Sequence, residues 1–310
     1  MLIIENYNVK NAVNEKFSVK KDVFGKLIVT LQNHTITKMD NNTNNALQQW
    51  LDKREQLIAI DSTATDVQYN EAIALCDNLH KQLANVADRD EYIAFLSIYA
   101  NLCAMREDHS DKEIDIQDEI VQLRRKQVEE NRGDFLPKLS NSLFYAAQLH
   151  RKATHVNRAM ECMEEHVAIE REIAEQNSEA GVRNLAVALY FMANTYAAFG
   201  RNILAEDTYA ESIEAFDKLV AGNHGNDTGT SMLLAQIIIE YADFYLATRM
   251  VDNAIDRYVQ AMEILRTLAP NNPEATALLK EQYDFMSRLY AQVGNDDMSK
   301  YYAQLSTDIK

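Results

Sequence analysis

The chain has 310 residues and is 47% hydrophobic, ample for a core, which argues against wholesale disorder. Only 8 glycines and 3 prolines punctuate it, too few for the turns of sandwiches, barrels or doubly wound sheets. Lys and Arg total 31 against 47 Asp and Glu, and a net charge of −16 repels phosphate backbones and disfavours nucleic acid.

Residues 1–40 differ from the rest. They hold six Lys and four acids, a net of +2, which leaves −18 on residues 41–310. A basic peptide or a basic protein face is the partner this field attracts. Met1–Asn6 lacks a basic lead followed by a long apolar run, so no signal peptide is expected. No stretch approaches the ~18 apolar residues of a membrane span. Cys76, Cys103 and Cys162 are widely spaced among apolar residues, as buried free thiols are, and with these features a cytoplasmic location is expected. Phe17–Lys21 and Lys26–Leu31 alternate around Gly25 like a β-hairpin, while Val23, Phe24, Leu27, Ile28 and Leu31 also fit one helix face. The β-branched Ile28, Val29 and Thr30 favour the strand. Residues 1–42 are then a cap or an arm, ending in the polar Asp40–Asn45.

Apolar periodicity and turn punctuation next predict helices near 43–60, 65–87, 89–107, 110–131, 134–153, 155–177, 179–200, 201–220, 228–249, 251–268, 272–293 and 295–309. Paired in order they form six hairpins that recur about every 45 residues, the period of a helical solenoid. The clearest unit reads Leu189, Met192, Ala193, Tyr196, Gly200, Ala205, Tyr209, Ser212, and the next reads Ile238, Tyr241, Ala242, Tyr245, Arg249, Ala254, Tyr258, Ala261. Small residues recur at matching places: Ala147 and Ala159; then Ala193, Gly200, Ala205 and Ser212; then Ala242, Ala254 and Ala261; then Ser287, Gly294 and Ser299. Tyr196, Tyr209, Tyr245 and Tyr258 are expected to fill the space to the next unit. Upstream the pattern decays: Glu113 occupies a small site, Ala72 keeps one, and the helix carrying Trp50 shows none.

These residues resemble the tetratricopeptide repeat, in the long variety of kinesin light chains and of many bacterial sensors and adaptors. The resemblance is full over 134–310, in four hairpins, and degenerate over 43–133, in two. It implies an all-α, right-handed solenoid of about six antiparallel hairpins, with first helices lining a concave groove and second helices outside. It further implies a non-catalytic scaffold or adaptor that binds a peptide or protein in that groove. A peptide-responsive regulator that changes superhelical shape and acts through another protein is the second reading. Carried onto this chain, the groove residues are Asn141, Phe144, Gln148 and Arg151, then Tyr190 and Asn194, then Gln236, Ile239, Glu240 and Asp243, then Asp284 and Arg288. The carboxylate clamp of chaperone-tail binders is not expected, because its cation positions hold Phe144, Gln148, Phe191, Gln236 and Glu240.

No cofactor is expected. His150, His155, Cys162 and His166 invite a metal reading, but His150 and His155, five apart on one helical pattern, are expected to diverge, and His166 falls at a small-residue site that suits a satisfied interior imidazole. The Gly222–Gly229 stretch lacks the Gly-Lys-Ser/Thr of a phosphate cradle, and no nucleophile setting is recognisable. Membrane contact is not expected, and self-association through the open ends of the stack is.

Overall fold

A computed structural model describes residues 41–84, 87–175, 178–222 and 228–309. The expected hairpin at 17–31 lies outside the described residues. Within them are twelve α-helices: α1 (Asn41–Ile58), α2 (Asp66–Leu83), α3 (Arg89–Cys103), α4 (Ser110–Glu130), α5 (Arg132–Lys152), α6 (Val156–Ala174), α7 (Glu179–Ala198), α8 (Asn202–Gly222), α9 (Thr228–Ala247), α10 (Val251–Leu268), α11 (Pro273–Gln292) and α12 (Asp296–Asp308). No strand occurs among the described residues. None of these helices is long and apolar enough to cross a membrane.

The helix starts follow from side chains that accept orphan amides. Thr65 and Gln68 close a reciprocal capping box on α2, and Asp88, Asn131, Ser178, Asn272 and Asn295 cap α3, α5, α7, α11 and α12. Substantial helix–helix contacts join neighbours along the chain, plus α1 with α3, so six antiparallel hairpins stack without closing on a central globule. The hairpins are α1/α2, α3/α4, α5/α6, α7/α8, α9/α10 and α11/α12.

Alanine makes the crossings. Ala147, Ala159, Ala193, Ala205, Ala242, Ala254 and Ala261 are completely buried, and Ser212 at the same kind of site bonds the Ala186 carbonyl at 2.7 Å. In the last hairpin Ser287 and Ser299 meet through their hydroxyls at 3.4 Å. All four expected tyrosines are buried, but they divide in direction: Tyr209 and Tyr258 pack on Tyr241 and Phe285 of the next hairpin, whereas the Tyr196 and Tyr245 hydroxyls reach back to Glu164 and Glu206 of the preceding one. Upstream, Glu113 is half-buried at its small site and burial raises its pKa. Trp50, on the helix without signature, is nonetheless fully buried, edge-on to Phe95 at 5.3 Å, with its indole N–H donating to Glu91.

Gly200 and Gly294 do something other than ease the crossings. A Cβ at either would meet nothing within 4 Å, whereas both have left-handed backbone, φ 70° and 79°. They end α7 and α11. The amide after each bonds a carbonyl five residues back: Arg201 to Tyr196 and Asn295 to Tyr290, both at 2.8 Å. The glycine amides bond three back, to Ala197 and Ala291, which completes the Schellman pattern. The same paired bonds recur at His155–His150 with Thr154–Arg151, and at Met250–Tyr245 with Arg249–Leu246. There the left-handed residue is not glycine: Thr154 has φ 59° and Arg249 has φ 65°. The glycine that close approach does require is Gly181, where a Cβ would sit 3.3 Å from the Ala174 Cα and the Ile173 carbonyl.

Left-handed backbone costs an L-residue about 1–2 kcal/mol. Arg249→Gly should therefore stabilise the chain by about 1 kcal/mol and Gly200→Ala should destabilise it by a similar amount; urea midpoints of the two variants, moving in opposite directions, check this. Ala205→Leu should overpack its crossing and cost about 1–3 kcal/mol, read in the same titration.

Candidate partner-binding groove

The first helices of successive hairpins meet through side chains on one face. Phe144 on α5 lies edge-on to Phe191 on α7, with centroids 4.8 Å apart, and Tyr190 touches Phe191 at 4.9 Å. Tyr190 and Asn194, one turn apart on α7, both reach Glu240 on α9. The Tyr190 hydroxyl donates to Glu240 Oε2, and the Asn194 amide donates to the same oxygen at 3.3 Å. From the second helices, the Tyr209 hydroxyl donates to Asn194 and the Tyr258 hydroxyl donates to Asp243. In both cases the acceptor lies 15 residues before the tyrosine.

Burial raises the pKa of Glu240; the bonds from Tyr190 and Asn194 pull it back, and the nearby Asp243 charge pushes it up again. Burial likewise raises Asp243, with the Tyr258 bond opposing. Asp243 is exposed by area yet crowded by neighbouring protein.

The expected groove residues divide accordingly. Tyr190, Asn194 and Glu240 form one bonded set, with Asp243 on the next turn. Tyr190 is itself buried, so it positions Glu240 rather than facing a partner. Phe144 is half-buried in the aromatic run, and Ile239 packs partly into the core. Gln236 is half-buried. Gln148 accepts from the Arg151 guanidinium at 2.9 Å along one helix, and Asn141 is exposed on that helix. Asp284 and Arg288 are exposed one turn apart on α11, and the structure does not join them to the network. Sequence reasoning missed Phe191, Tyr209 and Tyr258 as members of the face. The available signal was chemical: a buried tyrosine hydroxyl needs a partner, and the same offset supplies one twice.

Two other polar groups sit in hairpin α5/α6. His166 is buried as expected, and burial drives its pKa down to about 4. Its Nδ1 lies 2.8 Å from the Ser140 hydroxyl, which donates to Glu170. The hydroxyl has one proton, so the imidazole Nδ1–H must donate to it. The repeat supplies the comparison: where this hairpin has Ser140, His166 and Glu170, the next has Ala186, Ser212 and Phe216, and the one after has Ala235, Ala261 and Leu265. Glu170 is buried, its Oε2 has no hydrogen-bond partner, and burial raises its pKa. The second group corrects an expectation. His150 and His155 do not diverge: their Nδ1 atoms are 3.1 Å apart, because the left-handed Thr154 ends the helix and folds His155 back.

No protein family's sequence profile matches the chain, and no curated protein matches it. Solved structures do. It is similar to BtubC (BKLC) from P. vanneervenii at 18% identity, over 79% of this chain and 91% of that one, with a TM-score of 0.54. It also aligns with a kinesin-light-chain-like protein of nearly identical TPR-like repeats from Podosopora anserina (17% identity, 76% and 100% covered, TM-score 0.47). A Rap protein complexed with competence and sporulation factor aligns at 11% identity over 96% and 92% of the two chains, TM-score 0.42. The fold is a right-handed solenoid of TPR-like hairpins. At these identities the likeness is one of architecture.

A raised carboxyl pKa favours the folded state below its unfolded value of about 4.3, an advantage lost as pH rises through the folded value. At neutral pH the half-satisfied Glu170 is therefore a cost. Glu170→Leu, which installs the residue of hairpin α9/α10, should raise stability near pH 7 by on the order of 1 kcal/mol. That gain should shrink as pH falls toward about 4.3. His166 works in the opposite sense: its neutral form contributes above about pH 6.5, and the contribution is lost as pH falls toward its folded value. Thermal unfolding of the two proteins across this range checks the sign.

Proposed function

We propose that this solenoid is a non-catalytic docking scaffold that holds a basic peptide or protein segment along the face of α5, α7 and α9. The observation that supports the reading is the fixed carboxylate pair on α9: Glu240 held by Tyr190 and Asn194, and Asp243 held by Tyr258. Side chains already fixed by bonds to their own protein lose little freedom when a ligand arrives, which favours affinity. A lysine or arginine placed against a partly desolvated carboxylate gains a charge-assisted bond stronger than one at an open surface. Phe191 and Phe144 offer an apolar stretch one and two hairpins away, at 4.8 Å from each other, for an apolar neighbour of that cation.

Selection from a random peptide library against the immobilised full chain tests this. Enriched peptides should carry Lys or Arg beside apolar residues, and their binding should fall at least about tenfold in a Glu240→Gln, Asp243→Asn double variant of unchanged helicity. Binding should also weaken as pH falls through the raised pKa values of these two acids, since protonation removes the charge. Peptides that bind the double variant equally well would end the reading.

The Tyr190–Glu240 bond also ties hairpin α7/α8 to hairpin α9/α10. A ligand that takes over that carboxylate releases the tie, which favours a second role as a regulator that changes shape and acts through another protein. Small-angle scattering with and without a selected peptide separates the two: unchanged dimensions at saturation leave only the scaffold.

A further inference from the structure

We infer that His150 and His155 form a binding site for a first-row divalent transition metal ion such as Zn²⁺, Ni²⁺ or Cu²⁺ at the turn of the third hairpin. The site is made by the Schellman turn itself. That motif brings the side chain at the third-last helical position against the one just past the left-handed residue. In the last three hairpins those paired positions hold Tyr196 with Arg201, Tyr245 with Met250, and Tyr290 with Asn295, as the repeated 2.8 Å amide bonds show. Only in α5/α6 are both of them histidine.

The two Nδ1 atoms lie 3.1 Å apart with the rings inclined at 45°. A metal bonding two imidazoles at about 2.0–2.1 Å needs nitrogens about 3.3 Å apart on a tetrahedral edge and about 2.9 Å apart on an octahedral one. The observed separation falls between these, so turning the rings to aim both lone pairs at one point suffices by distance. Imidazole nitrogen selects this class of ion over Mg²⁺ or Ca²⁺.

The protonation pattern is set from behind. His150 Nε2 lies 3.1 Å from Asp118 Oδ1 on α4, and a carboxylate accepts only, so the imidazole proton of neutral His150 sits on Nε2. Its Nδ1 lone pair is thereby turned toward His155. A carboxylate behind a ligating histidine is the usual support of such a ligand. Arg158 shares Asp118 Oδ1 at 3.3 Å, and its own charge is met by Glu161 at 3.0 Å. Without metal, His155 Nδ1–H donates to His150 Nδ1. Binding moves that proton to His155 Nε2, so neutral histidines release none. His150 is buried and His155 exposed, which leaves one open side for entry and for water ligands. Among the described residues no third His, Cys, Asp or Glu completes a protein-only centre, so the remaining positions are water's.

Calorimetric titration of the untagged full chain with Zn²⁺ and with Ni²⁺ tests the assignment. One ion should bind per chain, and affinity should drop as pH falls, because protons compete with the metal for the ring nitrogens. His155→Asn installs the residue that hairpin α11/α12 carries at this position, so the turn is kept, and it should weaken binding at least about tenfold. Asp118→Asn should weaken it about 10–100-fold. Paramagnetic Ni²⁺ should broaden the imidazole signals of His150 and His155 before those of His80 and His109, a readout on the unaltered protein. Absence of binding to either ion, undiminished affinity in His155→Asn, or broadening that starts at other histidines would each overturn the proposal.

Discussion

Two helices nest only as closely as the side chains between them allow, and alanine at each crossing sets that distance throughout this chain. With Ala193, Ala205, Ala242 and Ala254 completely buried, the hairpins close and their larger residues turn outward to the neighbouring units. Tyr209 and Tyr258 are carried by this arrangement into the space beside the first helices. Their rings are buried, so their hydroxyls must find acceptors, and Asn194 and Asp243 provide them. The polar order of the groove is therefore a consequence of the packing rule: the tyrosines that seal the core also fix the face opposite it.

The turns within hairpins obey a second rule that concerns backbone alone. Four hairpins end their first helix with the same two hydrogen bonds, whether the left-handed residue is Gly, Thr or Arg. The geometry is imposed by the need to satisfy the last carbonyls and start the return helix at once. Because side chains on either side of the turn are free to vary, each hairpin can present a different pair there. Two histidines make a pair of nitrogen donors.

Hairpin α5/α6 stands apart inside as well. Its crossing carries Ser140, His166 and Glu170 where its successors carry Ala, Ser and Phe or Ala, Ala and Leu. The buried carboxyl lacks a partner for one oxygen, and the imidazole is held neutral. In a linear stack each hairpin depends on its neighbours alone, so a costly crossing lowers stability locally without unfolding the rest. The polar crossing lies between the degenerate upstream hairpins and the apolar core of the last three.

The helical repeat was legible in the sequence because period, small residues and sparse glycine and proline are local or evenly spaced properties. Their physical cause, helix nesting, acts identically in each unit. Helix limits, buried alanines and interleaved tyrosines all follow from it. What the sequence could not decide was which of those positions touch. Tyr190 and Glu240 lie 50 residues apart, and their bond depends on the stagger between two hairpins. Gly200 and Gly294 show the same limit: smallness reads as close packing in sequence, whereas their φ values reveal turns. His150 and His155 complete the case. Spacing along a continuous helix separates them, and only the reversal at Thr154, a backbone event with no glycine to announce it, brings them together.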